Sequence, residues 1–308
     1  MKPLTKWLKK HQLLLGIILI NVVLIIRNIS SYYFFELLNS LSFQILIVLL
    51  AISLFLILKR MYIGLACSLL SIYILLAHIA FFSSYQTEIG NYKITHFNVL
   101  KLNNQYHEII NYAETCQADL LSFNEVSPDW ASKLQDSLSK SYPYHIIQLA
   151  ENNSFGIALF SKYPLKNSAV KYWGSQYIPS IVTEVLMADK TIHIEAAHTI
   201  PPTRQKNLEI RNRHLRGITN YFSKINGSKI LVRDLNTVSW SEALQNLKHI
   251  SQLEDSRKAW QPTFPSTNWL MSIPIDHIFH SKDMRCVQFK VIKSTTSDHH
   301  GIEGEYVI

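Results

Sequence analysis

The chain has 308 residues, 48% of them hydrophobic and 17% charged, with a net charge of +8 at pH 7. This length allows one catalytic domain of ordinary size plus about 90 further residues. Residues 1–90 hold seven basic residues (Lys2, Lys6, Lys9, Lys10, Arg27, Lys59, Arg60) against Glu36 and Glu88, so most of the excess charge sits there and the high pI is weak evidence for a nucleic-acid surface.

Three apolar segments come first, and they predict membrane spans over about 12–28, 37–58 and 61–82. The last two are each 22 residues without an internal charge, enough to cross a hydrocarbon core of roughly 30 Å. The first is shorter and interrupted by Asn21, and spans if Lys9, Lys10 and Arg27 snorkel. No small-x-small cleavage site follows it, which argues against a signal peptide. The amino end and Lys59-Arg60 fall on one side, and the positive-inside bias makes that side cytoplasmic. Residues 1–90 are thus expected to be a multi-pass anchor in the cytoplasmic (inner) membrane, with the lipid bilayer as partner. Residues 91–308 then form an extracytoplasmic, periplasmic domain. There Cys116 and Cys286 would meet an oxidising compartment, and a disulfide between them stays open because spacing says nothing of proximity.

From residue 92 the chain alternates strands and helices. Strands are predicted at 92–98, 119–125, 143–149, 155–161, 180–187, 191–198, 229–235, 275–280, 284–292 and 303–308. Helices are predicted at 105–117, 127–140, 204–226 and 239–248, with Pro128 and Pro202 near helix starts and Asn226-Gly227 as a stop. No repeat or low-complexity linker is present. Many strands with few helices predict an α+β sandwich.

Polar residues gather at the ends of those strands. Asn98 ends KITHFN, Glu125 ends ADLLSFNE, and His198 ends TIHIEAAH. Asp234 and Asn236 close KILVRDLN, Asp276 opens DHIF, and Ser297-Asp298-His299 follows VQFKVIKSTT. Carboxylates, amides and imidazoles at strand ends are what a hard-metal phosphoryl-transfer site requires. Period-two alternation places Asp234 and Asn236 on one face.

This ordered series, with GIALFSKYPL at 156–165 and His198-Thr-Ile-Pro-Pro, resembles the endonuclease/exonuclease/phosphatase (DNase I-like) superfamily over about residues 92–308. The hydrophobic amino end resembles its bacterial membrane-anchored branch. The resemblance implies a four-layer, two-sheet α/β sandwich and a divalent-metal-dependent phosphodiesterase or nuclease using Mg2+, with Mn2+ the alternative ion. It makes Glu125 and Asp298 metal ligands, with Asn98 serving metal or phosphate. Asp234 would deprotonate the attacking water, Asn236 would hold water or phosphate, and His198 would donate to a phosphate oxygen. His299 would contact phosphate or its proton, with Asp276 fixing its tautomer.

Nucleic acid leads as substrate. A phospholipid or sphingomyelin-type headgroup is the enzyme alternative, with Trp173, Tyr177, Trp260 and Trp269 as candidates for an aromatic rim. The non-enzyme alternative is a tethered binding module with an impaired site. No protein partner is implied. Three departures from the family pattern stand out: Arg233 in place of glycine, Gly301 in place of proline, and no Asp closely after Asn98. Arg233 could crowd the site, clamp a phosphate, or point to the opposite face. Arg204, Lys206, Arg211, Arg213, His214 and Arg216 predict either a polyanion-binding helix or an ordinary amphipathic one.

Overall fold

The structure is a computed structural model that describes residue 12 and residues 15–25, 32–79, 84–85, 88–150, 154–187 and 189–308. It divides into two compact units, Met1–Ala80 and Phe81–Ile308.

The first unit holds helices α1 (Leu15–Ile25), α2 (Tyr33–Ser40), α3 (Ser42–Leu58) and α4 (Tyr62–Ile79). The continuous segment expected over 37–58 is broken, because α2 and α3 meet at Leu41 with a bend of 66°. Ser40 Oγ donates to Glu36 O and Ser42 Oγ to Asn39 O, and such bonds compete with the helical ladder at this junction. Among the described residues no single helix is long and apolar enough to cross a membrane. The 17 residues of α3 extend about 26 Å. Polar groups turn toward one another within this unit: Ser53 and Ser68 hydroxyls lie 2.7 Å apart, and Asn21 Nδ2 donates to Cys67 O at 3.1 Å. Leu50, Leu54, Leu58, Ile63 and Tyr73 are exposed. The basic flank Lys2, Lys6, Lys9 and Lys10, and Arg27, lie outside the described residues.

The second unit runs β1 (Tyr92–Asn98), α5 (His107–Thr115), β2 (Leu120–Asn124), α6 (Pro128–Leu138), β3 (Tyr144–Gln148), β4 (Ile157–Ser161), β5 (Leu165–Lys171), β6 (Ser180–Met187) and β7 (Lys190–His198). It continues with α7 (Gln205–Phe222), β8 (Ser228–Asp234), α8 (Glu242–Ser251), β9 (Leu253–Asp255), β10 (Asp276–Ser281), β11 (Arg285–Ile292) and β12 (Gly301–Val307). Two mixed six-stranded sheets result, in the orders β11-β12-β1-β2-β4-β3 and β5-β6-β7-β8-β10-β9. Every predicted strand and helix is present. Two strands were not foreseen: β5, a half-exposed polar strand with an irregular register at Lys166/Ala169, and the three-residue β9.

Side-chain alternation sorts the core into layers. Ile94, Leu120, Ile194, Val232 and Ile278 fill the space between the sheets. Phe97, Leu121 and Phe123 face outward against Ile109 of α5 and Trp130 and Leu134 of α6. Leu231 and Phe279 face Leu215 and Ile218 of α7 and Leu244 and Leu247 of α8. The result is the expected α+β sandwich in four layers. Ser127 and Ser241 cap α6 and α8 by accepting from Trp130 N and Leu244 N. The cysteines are free, with Cys286 between the sheets and Cys116 packed on the outer cluster, so the disulfide left open by the sequence is not formed.

Candidate active site

Strand register brings the polar residues to one end of the sandwich. β1 and β2 are parallel with Asn98 beside Asn124, while His198, Asp234 and Asp276 are consecutive register partners on β7, β8 and β10. Asp234 shares the parity of Ile230 and Val232, and Asp276 that of Ile278, so both carboxylates point between the sheets. The Ser297–His299 turn precedes β12, which runs antiparallel to β1, and Ser297 Oγ donates to Asn98 O at 2.8 Å.

Asp234 is the centre of this group. Asn98 Nδ2 donates to Asp234 Oδ2 at 3.2 Å and to Glu125 Oε1 at 3.1 Å, so one amide ties the two sheets together. The backbone N–H of Asp234 donates to Asn124 Oδ1 (3.1 Å), a second bridge between sheets. His198 Nε2 and His299 Nε2 lie 3.4 and 3.7 Å from Asp234 Oδ2. Asn236, at φ 49°, directs its backbone N–H to Asp234 Oδ1 (2.8 Å) and its Nδ2 to Thr199 O (2.7 Å), with that amide 3.3 Å from His198 Nε2. Glu125 also has a positive φ, 59°, and accepts at Oε2 from Lys101 N (3.3 Å).

Electrostatics follow this geometry. Burial works to lower the pKa of His299, but the charges of Asp276, Asp234 and Asp298 outweigh it and hold the ring at about 10. Burial likewise opposes protonation of His198, and its bond to Asp234 together with the charges of Asp234 and Glu125 raises it. Asp276 is held well below the carboxylate range: burial pushes it up, and His299 and His96 overcome that push. Asp276 Oδ2 lies 2.9 Å from His299 Nδ1, the pairing expected from the sequence. Asp298 shifts the other way, raised by burial and by the charges of Glu125 and Asp234.

Asp298 Oδ1 is buried without a hydrogen-bond partner among the described residues. An acidic oxygen in that state, under the charges of Glu125 and Asp234, fits a divalent cation held by Asp298 and Glu125, while Asn98 turns its Nδ2 to Glu125 and its Oδ1 accepts from Leu100 N at 3.1 Å. Asp234, Asp276 and His299 form a second group, with one ligand atom from each lying within 4.8 Å of the others, and it could also hold a metal. Protonation disfavours His299 as a ligand there, since only neutral imidazole coordinates.

All eight residues predicted for the site therefore lie at this end. Sequence reading missed Asn124 and His96, although alternation places His96 on the face of Asn98; the contact to each lies across the sandwich. It also missed Phe264, whose ring centroid lies 4.6 Å from that of His299. Arg233 points to the opposite face, buried 3.5 Å from Glu195, and so neither crowds the site nor reaches a phosphate there. Gly301 admits no side chain, since a Cβ would stand 2.3 Å from the Phe97 ring. Of the basic segment, Arg211 and His214 are buried, and Arg204, Lys206, Arg213 and Arg216 are exposed.

Two mixed sheets with carboxylates and histidines gathered at one end make this an α+β sandwich with a single convergent polar site among the residues described above. The chain belongs to the endonuclease/exonuclease/phosphatase family, whose family model matches residues 95–299, more than half of the chain. Members of this family are hydrolases of phosphoester bonds, and they generally use a divalent metal. No curated protein matches the chain. Among solved structures, an endonuclease/exonuclease/phosphatase from Beutenbergia cavernae aligns at 16% identity with a TM-score of 0.58, covering 70% of this chain and 71% of that one. A TDP2 from D. rerio, complexed with a single-strand DNA product, aligns at 14% identity and TM-score 0.60 over 70% of this chain and 99% of its own. A mannosyl-6-phosphatase from Bacteroides thetaiotaomicron aligns at 15% identity and TM-score 0.59 over 71% of this chain and 100% of its own.

Proposed function

We propose that the chain is a membrane-anchored, Mg2+-dependent phosphodiesterase of the bacterial membrane-anchored branch, with its catalytic unit outside the cytoplasm and nucleic acid as its substrate class. The observation that carries this reading is Asp234, an aspartate held by two inter-sheet amides and flanked by two histidines whose protonated forms are favoured. Held by Glu125 and Asp298, Mg2+ (or Mn2+) would neutralise charge on the transferring phosphoryl group, with Asn98 donating from Nδ2 to Glu125 beside it. Asp234 would accept the proton of a water attacking phosphorus in line with the leaving oxygen. As the water oxygen bonds to phosphorus and the ester bond breaks, His198 and His299 would donate hydrogen bonds to the phosphate oxygens. Asn236 Nδ2 donates to Thr199 O, which holds that amide beside His198.

Anchoring is supported by the first unit, whose serine and asparagine polar groups face one another while leucines and isoleucines face outward. That arrangement suits lipid surroundings. The chain enters the catalytic unit at the Tyr92 end of β1, and the site lies at the Asn98 end. The exposed Arg204, Lys206, Arg213 and Arg216 add a basic face for an extended polyanion.

A second reading, phospholipid hydrolysis, is favoured by one feature. Trp269, Leu270 and Met271 are exposed at the tip of a loop whose Ser266 bonds to Asp298 O and Ser297 O beside the site. Hydrolysis of single-stranded DNA, RNA and phosphatidylcholine or sphingomyelin vesicles by the full chain with Mg2+ decides between the readings. DNA or RNA turnover that exceeds lipid turnover and survives Trp269→Ala supports the first, and lipid turnover lost in Trp269→Ala supports the second. A reporter active only outside the cytoplasm, fused after Ser84, should be active; a silent one there, with an active one after Arg60, reverses the orientation.

A further inference from the structure

Beneath the site two buried atoms face each other. His96 Nε2 and Asp276 Oδ1 are 3.7 Å apart, both side chains are wholly buried, and neither atom has a hydrogen-bond partner among the described residues. A buried carboxylate oxygen without a donor is unfavourable, and the imidazole of His96 is the group placed to supply one.

His96 stands two residues before Asn98 on β1, so both turn toward the inter-sheet space. Its Nδ1 lies 3.1 Å from Oγ of Ser122, its register partner on β2. A carboxylate only accepts, so Nε2 must carry the ring proton if it is to serve Asp276, and Nδ1 then accepts from the Ser122 hydroxyl. In that tautomer donation would run from Ser122 through His96 to Asp276 Oδ1, while His299 Nδ1, 2.9 Å from Oδ2, donates to the same carboxylate from the other side. A shift of about 0.8 Å brings the His96–Asp276 pair to hydrogen-bond distance.

We propose that His96 is a positioning residue of the active site: by donating from Nε2 to Asp276 Oδ1 it fixes the rotation of that carboxylate, and so keeps His299 Nε2 aimed at the reacting phosphate. The inference rests on Asp276 and His299 being part of the catalytic machinery. His96 itself touches no substrate, and its effect passes through Asp276.

The test uses the full chain in detergent micelles with Mg2+ and bis(p-nitrophenyl) phosphate. His96→Leu should lower kcat about tenfold with KM within twofold, the scale of outer hydrogen-bonding partners. His96→Gln, whose side-chain amide can donate from nearly the same place, should restore most of kcat. In an Asp276→Asn background, His96→Leu should add little, because the carboxylate it positions is already gone. An undiminished effect in that background, or equal losses in the Leu and Gln variants at matched melting temperature, overturns the proposal. Long-range 1H–15N imidazole spectra read the tautomer without any turnover. The ring whose signals vanish in His96→Gln should carry its proton on Nε2, and a proton on Nδ1 overturns the proposal. A parent chain inert toward every phosphodiester defeats the phosphodiesterase reading instead, while the tautomer still decides the His96–Asp276 bond.

Discussion

Asp234 and Arg233 are neighbours on β8, both buried, and they face opposite ways. On the inner face Asp234 meets Asn98, His198 and His299 at the strand ends, and Asp298 Oδ1 has no partner among the described residues. On the outer face Arg233 meets Glu195, whose Oε1 also accepts from Trp173 Nε1 at 2.9 Å, and His214 of α7 has its Nε2 2.9 Å from Ser180 Oγ. Burial lowers Arg233 to about 10 and raises Glu195 against the pull of Arg233. Buried charge is therefore common to both faces. Both sets also leave buried polar atoms without partners among the described residues, Arg233 Nε and Nη1, Glu195 Oε2 and His214 Nδ1 on the outer face and Asp298 Oδ1 on the inner, so it is convergence on strand ends that distinguishes the inner set.

The largest effect should come from Asp234→Asn, which keeps volume and removes the inner face's base. We expect kcat/KM to fall roughly a thousandfold, within the range spanned by general-base contributions, while the melting temperature stays within a few degrees. Turnover of a soluble phosphodiester chromophore measures it. Near-parental turnover would break the contrast between the faces at its centre.

Glu125→Gln and Asp298→Asn come next. Each should lower kcat/KM about a hundredfold, since metal charge stabilisation amounts to several kcal/mol, and should raise the Mg2+ concentration needed for half-maximal rate. Parental Mg2+ dependence in both variants would move the metal to the Asp234, Asp276 and His299 group. That outcome would make His299 a ligand and require its neutral form.

Two buried histidines, His299 on the inner face and His214 on the outer, should also answer pH with opposite sign. His299 is raised from 6.5 to about 10 by its carboxylates, so in metal-free protein its contribution to stability is full below about pH 6.5 and fades as pH rises toward 10. His214 is depressed well below 6.5, by burial first and then by Arg233 and His198. The unfolded chain takes up that proton more readily, so the His214 contribution is present above about pH 6.5 and is lost on acidification. Urea midpoints in EDTA across pH 5–10 should show the alkaline slope flattened in His299→Gln and the acid slope flattened in His214→Gln.

Much of this arrangement was legible in the sequence because it is local. Apolar runs gave the strands, their last polar residues gave the site, and the chain order of Asn98, Glu125, His198, Asp234 and Asp298 matched one family. The half-exposed β5 and the three-residue β9 lack the apolar run that announces a strand. Asn124 and His96 were passed over because their partners, Asp234 and Asp276, lie on the other sheet, more than a hundred residues away in sequence. The direction of Arg233 follows from alternation, but what it meets there does not. The break at Leu41 comes from serine bonds to the backbone that hydropathy does not register.

Arg233 gives the smallest expected effect on catalysis and the sharpest test of separation between the faces. Removing one partner of a buried ion pair strands the other charge, so Arg233→Met should destabilise the chain by about 3–5 kcal/mol. Replacing both partners, in Arg233→Met/Glu195→Leu, removes the stranded charge and should recover most of that loss, while Trp173 gives up one hydrogen bond. In the recovered double variant kcat/KM should stay within twofold of the parent, because Asp234 keeps its bonds to Asn98 and Asn124 on the inner face. His198, three residues beyond Glu195 on β7, keeps its place beside Asp234 through strand register alone. A tenfold fall in the stable double variant would mean that the outer pair aligns the ends of β7 and β8. The enclosed polar layer under α7 would then be part of how Asp234 and His198 are held.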